Sequence, residues 1–347
     1  MRTSLVSNVS IQNSMRLTVR DAQAGLLKAS AEAATGRHAD VGLALGALTS
    51  QSLNLNRDVD RLTAIKTANA LSESQMKTTQ DALTNLQTNA TGASKDLIVF
   101  ATSESSTDLT NLKKSMASAL SSFVGSVNSY SQNEFIFGGI NTGTPPIKEN
   151  AIEDAKKAIQ DLYKVEFTDK GKTDQSITSG EMATFITKVE KLFIGEGNKW
   201  ADIVSNASDT NMSSRISTTE VVQTSTNANS DGMRRYVLGA LLAHEMADKD
   251  ISGAVRGTVN KAAQGYMSTS ITDLISDGST IGTSQERLTT ANKSIDNQVK
   301  IYKTHLLTLE GVDPYEASTL VKTLKAQVDT SYTLTAMLQK LSLLNYL

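Results

Sequence analysis

The chain has 347 residues, a formal charge of −2, 39% hydrophobic and 5% aromatic residues, three prolines and no cysteine. The missing cysteine excludes disulfides, thiolate metal sites and cysteine nucleophiles, and the near-zero charge gives no electrostatic footing for nucleic acid or an anionic membrane. So few aromatics argue against one thick core and for elongated layers with narrow seams, in a chain long enough for two or three domains.

Residues 1–35 read as a helix. Met15, Val19, Ala22, Leu26, Ala29 and Ala33 form a 4-3-4-3-4 stripe, with Leu5, Val6, Val9 and Ile11 upstream. The stripe is thin and rich in alanine, so this helix is marginal alone and needs partners to stay folded. Gly36 suits a helix C-cap, and Asp40 can cap the next helix. The apolar run Val41–Leu48 (VGLALGAL) is expected to be buried packing, because no stretch of the chain approaches the ~18 apolar residues of a membrane span. The amino terminus carries no apolar core of a cleaved secretory signal.

Residues 50–102 then read as one long helix. Leu62, Ile65, Asn69, Ser72, Met76, Thr79, Leu83, Leu86, Ala90, Ala93, Leu97 and Phe100 alternate steps of three and four without a slip, the mark of a helix burying one narrow seam. TSESSTD (102–108) reads as a break, with Asp108 before a second helix whose stripe is Leu112, Met116, Leu120, Phe123, Val127 and Tyr130. A short connection of this kind sets two helices antiparallel. NEFIFGGINTGTPPI (133–147) ends the segment, since Pro145-Pro146 forbids helical continuation.

The heptad pattern fades over 147–254. AIEDAKKAIQDLYKV and MATFITKVEKLFI read as short amphipathic helices, SSRISTTEVVQTSTNAN as one or two strands, and YVLGALLAHEMA (236–247) as a buried helix, apolar nearly all round. From about 255 the helical pattern resumes, with an interruption expected at DGSTIGTS (277–284). Leu288, Ala291, Ile295, Val299, Tyr302, Leu306 and Leu309 form a return seam. Gly311 ends that helix; Asp313 caps the next, Pro314 takes its first position and Glu316 completes a capping box. The last helix carries Leu324, Val328, Leu334, Leu338, Leu341 and Leu344.

The expected fold is mainly α, a long antiparallel helical bundle or coiled-coil rod built from the N- and C-terminal segments, with an inserted mixed α+β central domain. Its parts are terminal helices at 1–40 and 306–347, a helical rod at 41–146 and 255–305, and an inserted outer domain at 147–254.

Motifs that could carry chemistry stop short of a site. His244-Glu245 with Asp248 opens like HExxH but lacks the second histidine, and its place on an apolar helix reads as packing rather than zinc ligation. Asp248, Asp250, Ser252 and Gly253 echo the start of an EF-hand loop, yet the twelfth position is Val259 where a bidentate Glu is needed. Ser74 and Lys77 make an SxxK in mid-helix without an oxyanion pocket. FGGINTG (137–143) lacks the strand–loop–helix setting of a phosphate loop. We therefore assign no catalytic, cofactor-binding or metal-binding residue, expect no cofactor and do not expect an enzyme.

The two ends carry a resemblance. SNVSIQNSMRLTVRDAQAGLLKASAEAATGRHADVGLALG, with its Thr35-Gly36-Arg37, Ala39-Asp40 and Gly42-Leu43-Ala44 steps, resembles the amino-terminal region of the flagellin superfamily, and 313–347 resembles that superfamily's terminal helix. NEFIFGGINTGTPPI, LEGVDPYEAS and the ending LSLLNYL are more similar to the hook-associated type 3 (FlgL) family of α-proteobacteria than to flagellin. The resemblance spans roughly 1–147 and 285–347.

It implies a structural protein of the bacterial flagellum at the hook–filament junction, exported unfolded through the flagellar type III channel without a cleaved signal. The partners implied are other copies of itself, an adjoining hook-associated protein, flagellin, and a cytoplasmic export chaperone on the C-terminal helix. Nucleic acid and membrane are not among them. The intersubunit interface is expected at Leu5, Val9, Met15, Val19 and Leu26 near one end, and at Leu334, Leu338, Leu341, Leu344 and Leu347 near the other. There, burial against neighbouring subunits would offset the entropy of ordering the helices. Flagellin itself is the nearest alternative, and a soluble coiled-coil secreted or signalling protein the more distant one.

Overall fold

The unbroken heptads of 62–100 become the buried face of a single helix. The computed structural model describes residues 8–100 and 105–344, with the side chains of 8, 9, 12 and 338–344 outside that description. In chain order the elements are α1 (Asn8–Thr35), α2 (Val41–Leu45), α3 (Thr49–Val99), α4 (Ser106–Val127), β1 (Tyr130–Ser131), β2 (Glu134–Phe135), α5 (Ala151–Tyr163), α6 (Ser179–Phe193), α7 (Trp200–Ile203), β3 (Ser213–Arg215), β4 (Val221–Gln223), α8 (Asp231–Ala247), α9 (Gly253–Glu310) and α10 (Pro314–Leu344). The protein is mainly α. It divides into two compact units, residues 65–294 and residues 1–64 with 295–347; α3 and α9 contribute to both.

Along α3, which runs from the smaller unit (Leu62) into the larger one, the seam is realised almost position by position. Of the twelve heptad residues, Ile65 and Phe100 are half-buried and the other ten are buried. Asn69 is the polar member: its Nδ2 donates to Ile216 O at 2.9 Å and to Asn292 Oδ1 at 2.7 Å. A buried amide of this kind fixes register between helices, because a shift would leave its donors unmatched. Met76, Ile216, Val222, Ile281, Leu288 and Ala291 form a small apolar cluster there, with Ile216 and Val222 supplied by the antiparallel β3–β4 hairpin and its turn.

The main core gathers α3, α4, α5, α6, α8 and the first part of α9. Helix α8 is buried on nearly every face. It comes close to α9 because Gly239 leaves room: a Cβ there would lie 3.0 Å from Ala263 O. Tyr236 stacks on Phe123 at 5.0 Å and donates its hydroxyl hydrogen to Ala119 O. Phe193 and Trp200 meet edge to face, and Trp200 Nε1 donates to Asn229 Oδ1.

Three local expectations are corrected here. Helix α9 runs through 277–284 without a break. Gly278 and Gly282 are helical residues whose bare faces admit the Gln80 side chain, which donates to Gly278 O at 2.6 Å. The cap position before α4 is Ser105, and Asp108 sits in the first turn. Tyr130 lies beyond α4 in β1 and is exposed. The turn that follows places Gln132 and Asn133 at positive φ, 55° and 67°, the two-residue geometry that matches the twist of a hairpin.

The Phe-Gly-Gly segment folds back on an irregular loop. Gly139 has φ +61°, and a Cβ on it would lie 2.6 Å from both Ser208 O and Thr210 O. Ile140 N donates to Thr210 O, Ser208 N to Gly138 O and Ala228 N to Phe137 O. Gly139 is needed because two backbones touch here, and Gly138 because a Cβ on it would lie 2.4 Å from Asn141 O in its own turn.

The smaller unit is built differently. Helix α1 packs along α10, and a Cβ on Gly25 would be 3.3 Å from the Leu324 side chain. Gly36 has φ +68° at the α1 C-terminus, and Asp40 caps α2 by accepting from Leu43 N. Asp313 Oδ1 accepts from Tyr315 N at 2.8 Å at the start of α10. The VGLALGAL run, expected to be buried, is not: α2 and the 3₁₀ turn Gly46–Leu48 bury none of their residues. Five residues make little more than one helical turn, so α2 has no second face with which to reach a core.

Candidate assembly interface

The two units differ in how they treat apolar side chains. Within the smaller unit, among the described residues, seven apolar side chains are buried: Ala22, Ala29, Leu62, Ile295, Leu306, Ala317 and Val328. Twelve large ones are exposed: Leu17, Leu27, Leu43, Leu48, Leu53, Ile301, Leu307, Tyr315, Leu320, Tyr332, Leu334 and Met337. The larger unit reverses that ratio, with 51 buried against eight exposed. Apolar residues scattered singly over a surface need no explanation, but so many on a unit with so thin a core make it the candidate for an interaction surface.

The buried residues of this unit follow the 4-3 spacing. On α1, Met15, Val19 and Leu26 are half-buried and alternate with the buried Ala22 and Ala29. On α10, Ala317 and Val328 are buried and Val321, Leu324, Ser331 and Thr335 half-buried. Each helix thus lays one stripe against the other and leaves its remaining face open. Leu17 and Leu27 fall off the α1 stripe, and Leu320, Tyr332, Leu334 and Met337 fall off the α10 stripe.

Of the ten residues expected at the interface, Met15, Val19 and Leu26 therefore lie on the α1 stripe, and Leu334 on the exposed face of α10. Leu5 and Leu347 lie outside the described residues. Val9, Leu338, Leu341 and Leu344 belong to helices, but their side chains lie outside the described ones. The structure adds residues that heptad reasoning passed over: Leu27 at 74% exposure, Leu43 at 76% and Tyr315 at 82%. Their signal in the sequence is an apolar residue out of register with its helix's own stripe.

The motifs read as chemical near misses are occupied structurally. His244 is buried, with Nδ1 2.8 Å from Glu245 Oε1, and Gln160 Nε2 donates to Glu245 Oε2. Burial raises the Glu245 pKa, but His244 and Gln160 together outweigh it and hold the carboxyl below its ordinary range. Asp248 pairs with Lys113, and Asp250 accepts from Gln175 Nε2. No cluster of three or more metal-ligating side chains occurs among the described residues, and no helix among them is long and apolar enough to cross a membrane.

Comparison with known families matches both ends of the chain. Residues 6–142 match the bacterial flagellin N-terminal helical region, and residues 265–347 match the bacterial flagellin C-terminal helical region. The chain belongs to the flagellin superfamily. It is a structural component of the bacterial flagellum, a member of a family that assembles with copies of itself and with other flagellar parts. No curated protein matches it. Among solved structures it is similar in fold to one assigned as a flagellar hook-associated protein from Vibrio parahaemolyticus. The TM-score is 0.52 at 10% identity, covering 75% of this chain and 96% of that one. The flagellin-like regions contain every residue of the smaller unit from 6 onward, so the surplus of exposed apolar side chains sits in the part that defines the family.

Proposed function

We propose that this flagellin-superfamily chain is the hook–filament junction protein, polymerising through its terminal helices and adapting the hook side to the flagellin filament. The observation that carries the assembly element is the smaller unit, whose exposed large apolar side chains outnumber its buried ones. Neighbouring copies, an adjoining hook-associated protein and flagellin supply the missing walls. Contacts of this head-to-tail kind propagate along a helix when they do not close into a ring. Residues 1–40 and 306–347 serve as the assembly core, 41–146 and 255–305 as helical support, and 147–254 as the outer domain.

The junction role, as against a filament subunit, is supported by NEFIFGGINTGTPPI and LSLLNYL, which are similar to the hook-associated type 3 family. The chain leaves the cell unfolded through the flagellar export channel without a cleaved signal, and a cytoplasmic chaperone covers its C-terminal helix beforehand. Electron microscopy of cells lacking the protein is the test. Hooks without filaments, with flagellin shed into the medium, are expected; full-length filaments on normal hooks would overturn the reading. Loss of the major filament subunit itself would instead favour flagellin.

A further inference from the structure

The two turns of the smaller unit, 36–40 and 311–313, are far apart in sequence yet interlocked. Arg37 and Gly311 form an antiparallel bridge, His38 N donates to Glu310 O at 2.8 Å, and Val312 N donates to Gly36 O at 3.0 Å. Gly311 is required at this crossing, since a Cβ there would lie 2.3 Å from Leu307 O. A third segment joins them through one side chain. Glu310 is only 3% exposed, and its Oε1 accepts from the Ser52 hydroxyl and from Asn56 Nδ2, while Oε2 faces Arg37 Nη1 at 3.3 Å. Ser52 is buried as well. On the other side of the turn, Glu32 Oε1 accepts from Ala39 N at 3.1 Å.

This polar arrangement is unlike the α1–α10 contact, which is made by one apolar stripe on each helix. A buried carboxylate left without its donors is costly, so closure here is favoured over a half-open state. Within the unit, α1 and α10 leave from the two interlocked turns, while Ser52 and Asn56 belong to α3. Glu310, the last residue of α9, thus ties the departure point of the terminal pair to α3 by side-chain hydrogen bonds.

We propose that Glu310 is a positioning residue for assembly: its carboxylate clasps the two turns to Ser52 and Asn56, and so fixes the direction in which α1 and α10 leave α3. This rests on the reading of the smaller unit as the assembly element. Without the clasp, α1 and α10 still pair through their stripe, but the pair swings and the exposed faces no longer meet a neighbour at one angle. Two oxygens divide the work. The Oε1 bonds are buried (Ser52) or part-buried (Asn56) and directional, whereas the Arg37 side chain is half-exposed and its contact contributes little.

The test uses the full chain, which has no cysteine, so paired spin labels can be placed at Ala24→Cys in α1 and Asn54→Cys in α3, both exposed. Pulsed electron spin measurements on the free subunit give the distance distribution between them. A single narrow distribution is expected for the parent chain and for Glu310→Gln, whose amide oxygen can still accept from Ser52 and Asn56. At least a twofold broadening is expected for Glu310→Ala. Should Glu310→Ala fail to fold, Ser52→Ala with Asn56→Ala keeps the carboxylate and removes its donors, and the same broadening is expected. A narrow distribution in a folded Glu310→Ala chain overturns the proposal, as does broadening in Glu310→Gln equal to that in Glu310→Ala. Because the readout is on the isolated subunit, it stands or falls separately from the hook-to-filament phenotype.

Discussion

Leu27 and Leu43 offer the sharpest test of the assembly surface. Both belong to the smaller unit and are 74% and 76% exposed. Burying a leucine side chain fully is worth about 1.5–3 kcal/mol, so roughly 1–2 kcal/mol of each remains to be gained when a neighbour covers it. Glutamine is the substitution to use, because its helix propensity is close to that of leucine and the free helix is left unchanged. The double variant Leu27→Gln/Leu43→Gln should lose about 2–4 kcal/mol per contact formed, which at 1.4 kcal/mol per tenfold raises the concentration needed for self-assembly roughly 30- to several-hundred-fold. Stability of the free subunit should stay within about 0.5 kcal/mol of the parent for each change.

The assay pairs urea unfolding of the dilute subunit with sedimentation across a concentration series. Leu83→Ala is the contrast: Leu83 is fully buried in the larger unit, and its truncation should cost about 2–5 kcal/mol of subunit stability. Parent-like assembly by the double variant would refute the reasoning. So would a loss of subunit stability as large as that of Leu83→Ala, since these leucines would then be core residues.

Three further outcomes are expected. Deleting 334–347 should abolish the hook-to-filament joint while leaving urea unfolding of the larger unit unchanged; a functional joint would remove the C-terminal stripe from the assembly element. Gly139→Ala places a Cβ at 2.6 Å from two carbonyl oxygens at φ +61°, so it should destabilise the larger unit by about 2–4 kcal/mol, read as a lower urea midpoint. Asp277→Asn tests a pH effect. Burial first, then the neighbouring Asp273 and Asp231, push the Asp277 carboxyl up, with Ser230 and Thr226 pulling the other way. The folded chain then holds this proton to higher pH than the unfolded chain, so its contribution is present in acid and lost as pH rises through the folded pKa. The asparagine variant should gain stability over the parent at neutral pH and none near pH 3, measured by urea unfolding at both; an equal difference at both pH values would refute the assignment.

What could be read from the sequence depended on how much of each segment's burial is periodic. The 62–100 seam was legible because its partners are helices in the same chain, and a heptad pattern encodes contact with helices. The caps at Gly36, Asp40 and Asp313 were legible for a local reason, since each is set by one backbone conformation or one side-chain bond. The unbroken α9 was not, because what packs on the bare faces of Gly278 and Gly282 is Gln80, nearly two hundred residues earlier. Nor was the exposure of VGLALGAL: eight apolar residues in a row announce that burial is wanted without saying whether the same chain provides it. At the proposed assembly surface that ambiguity was decisive. Met15, Val19 and Leu26 share the stripe that faces α10, whereas Leu27 and Leu43 lie outside any stripe.

That division follows from what an assembling subunit has to do. Side chains buried within one chain have nothing left to contribute to a neighbour, so a unit that joins copies must keep apolar surface uncovered. A unit that survives alone must do the reverse. This chain separates the two demands by residue range. Residues 65–294 bury Trp200, Tyr236 and Phe123 completely. The terminal ranges hold together through small residues, Ala22 and Ala29 on α1 and Ala317 on α10, which let two helices approach while removing little apolar area from water. Larger side chains at those positions would stabilise the free subunit, yet they would also hold α1 and α10 further apart and alter the face they offer outward. The alanine-rich stripe is thus suited to assembly because it is a poor core.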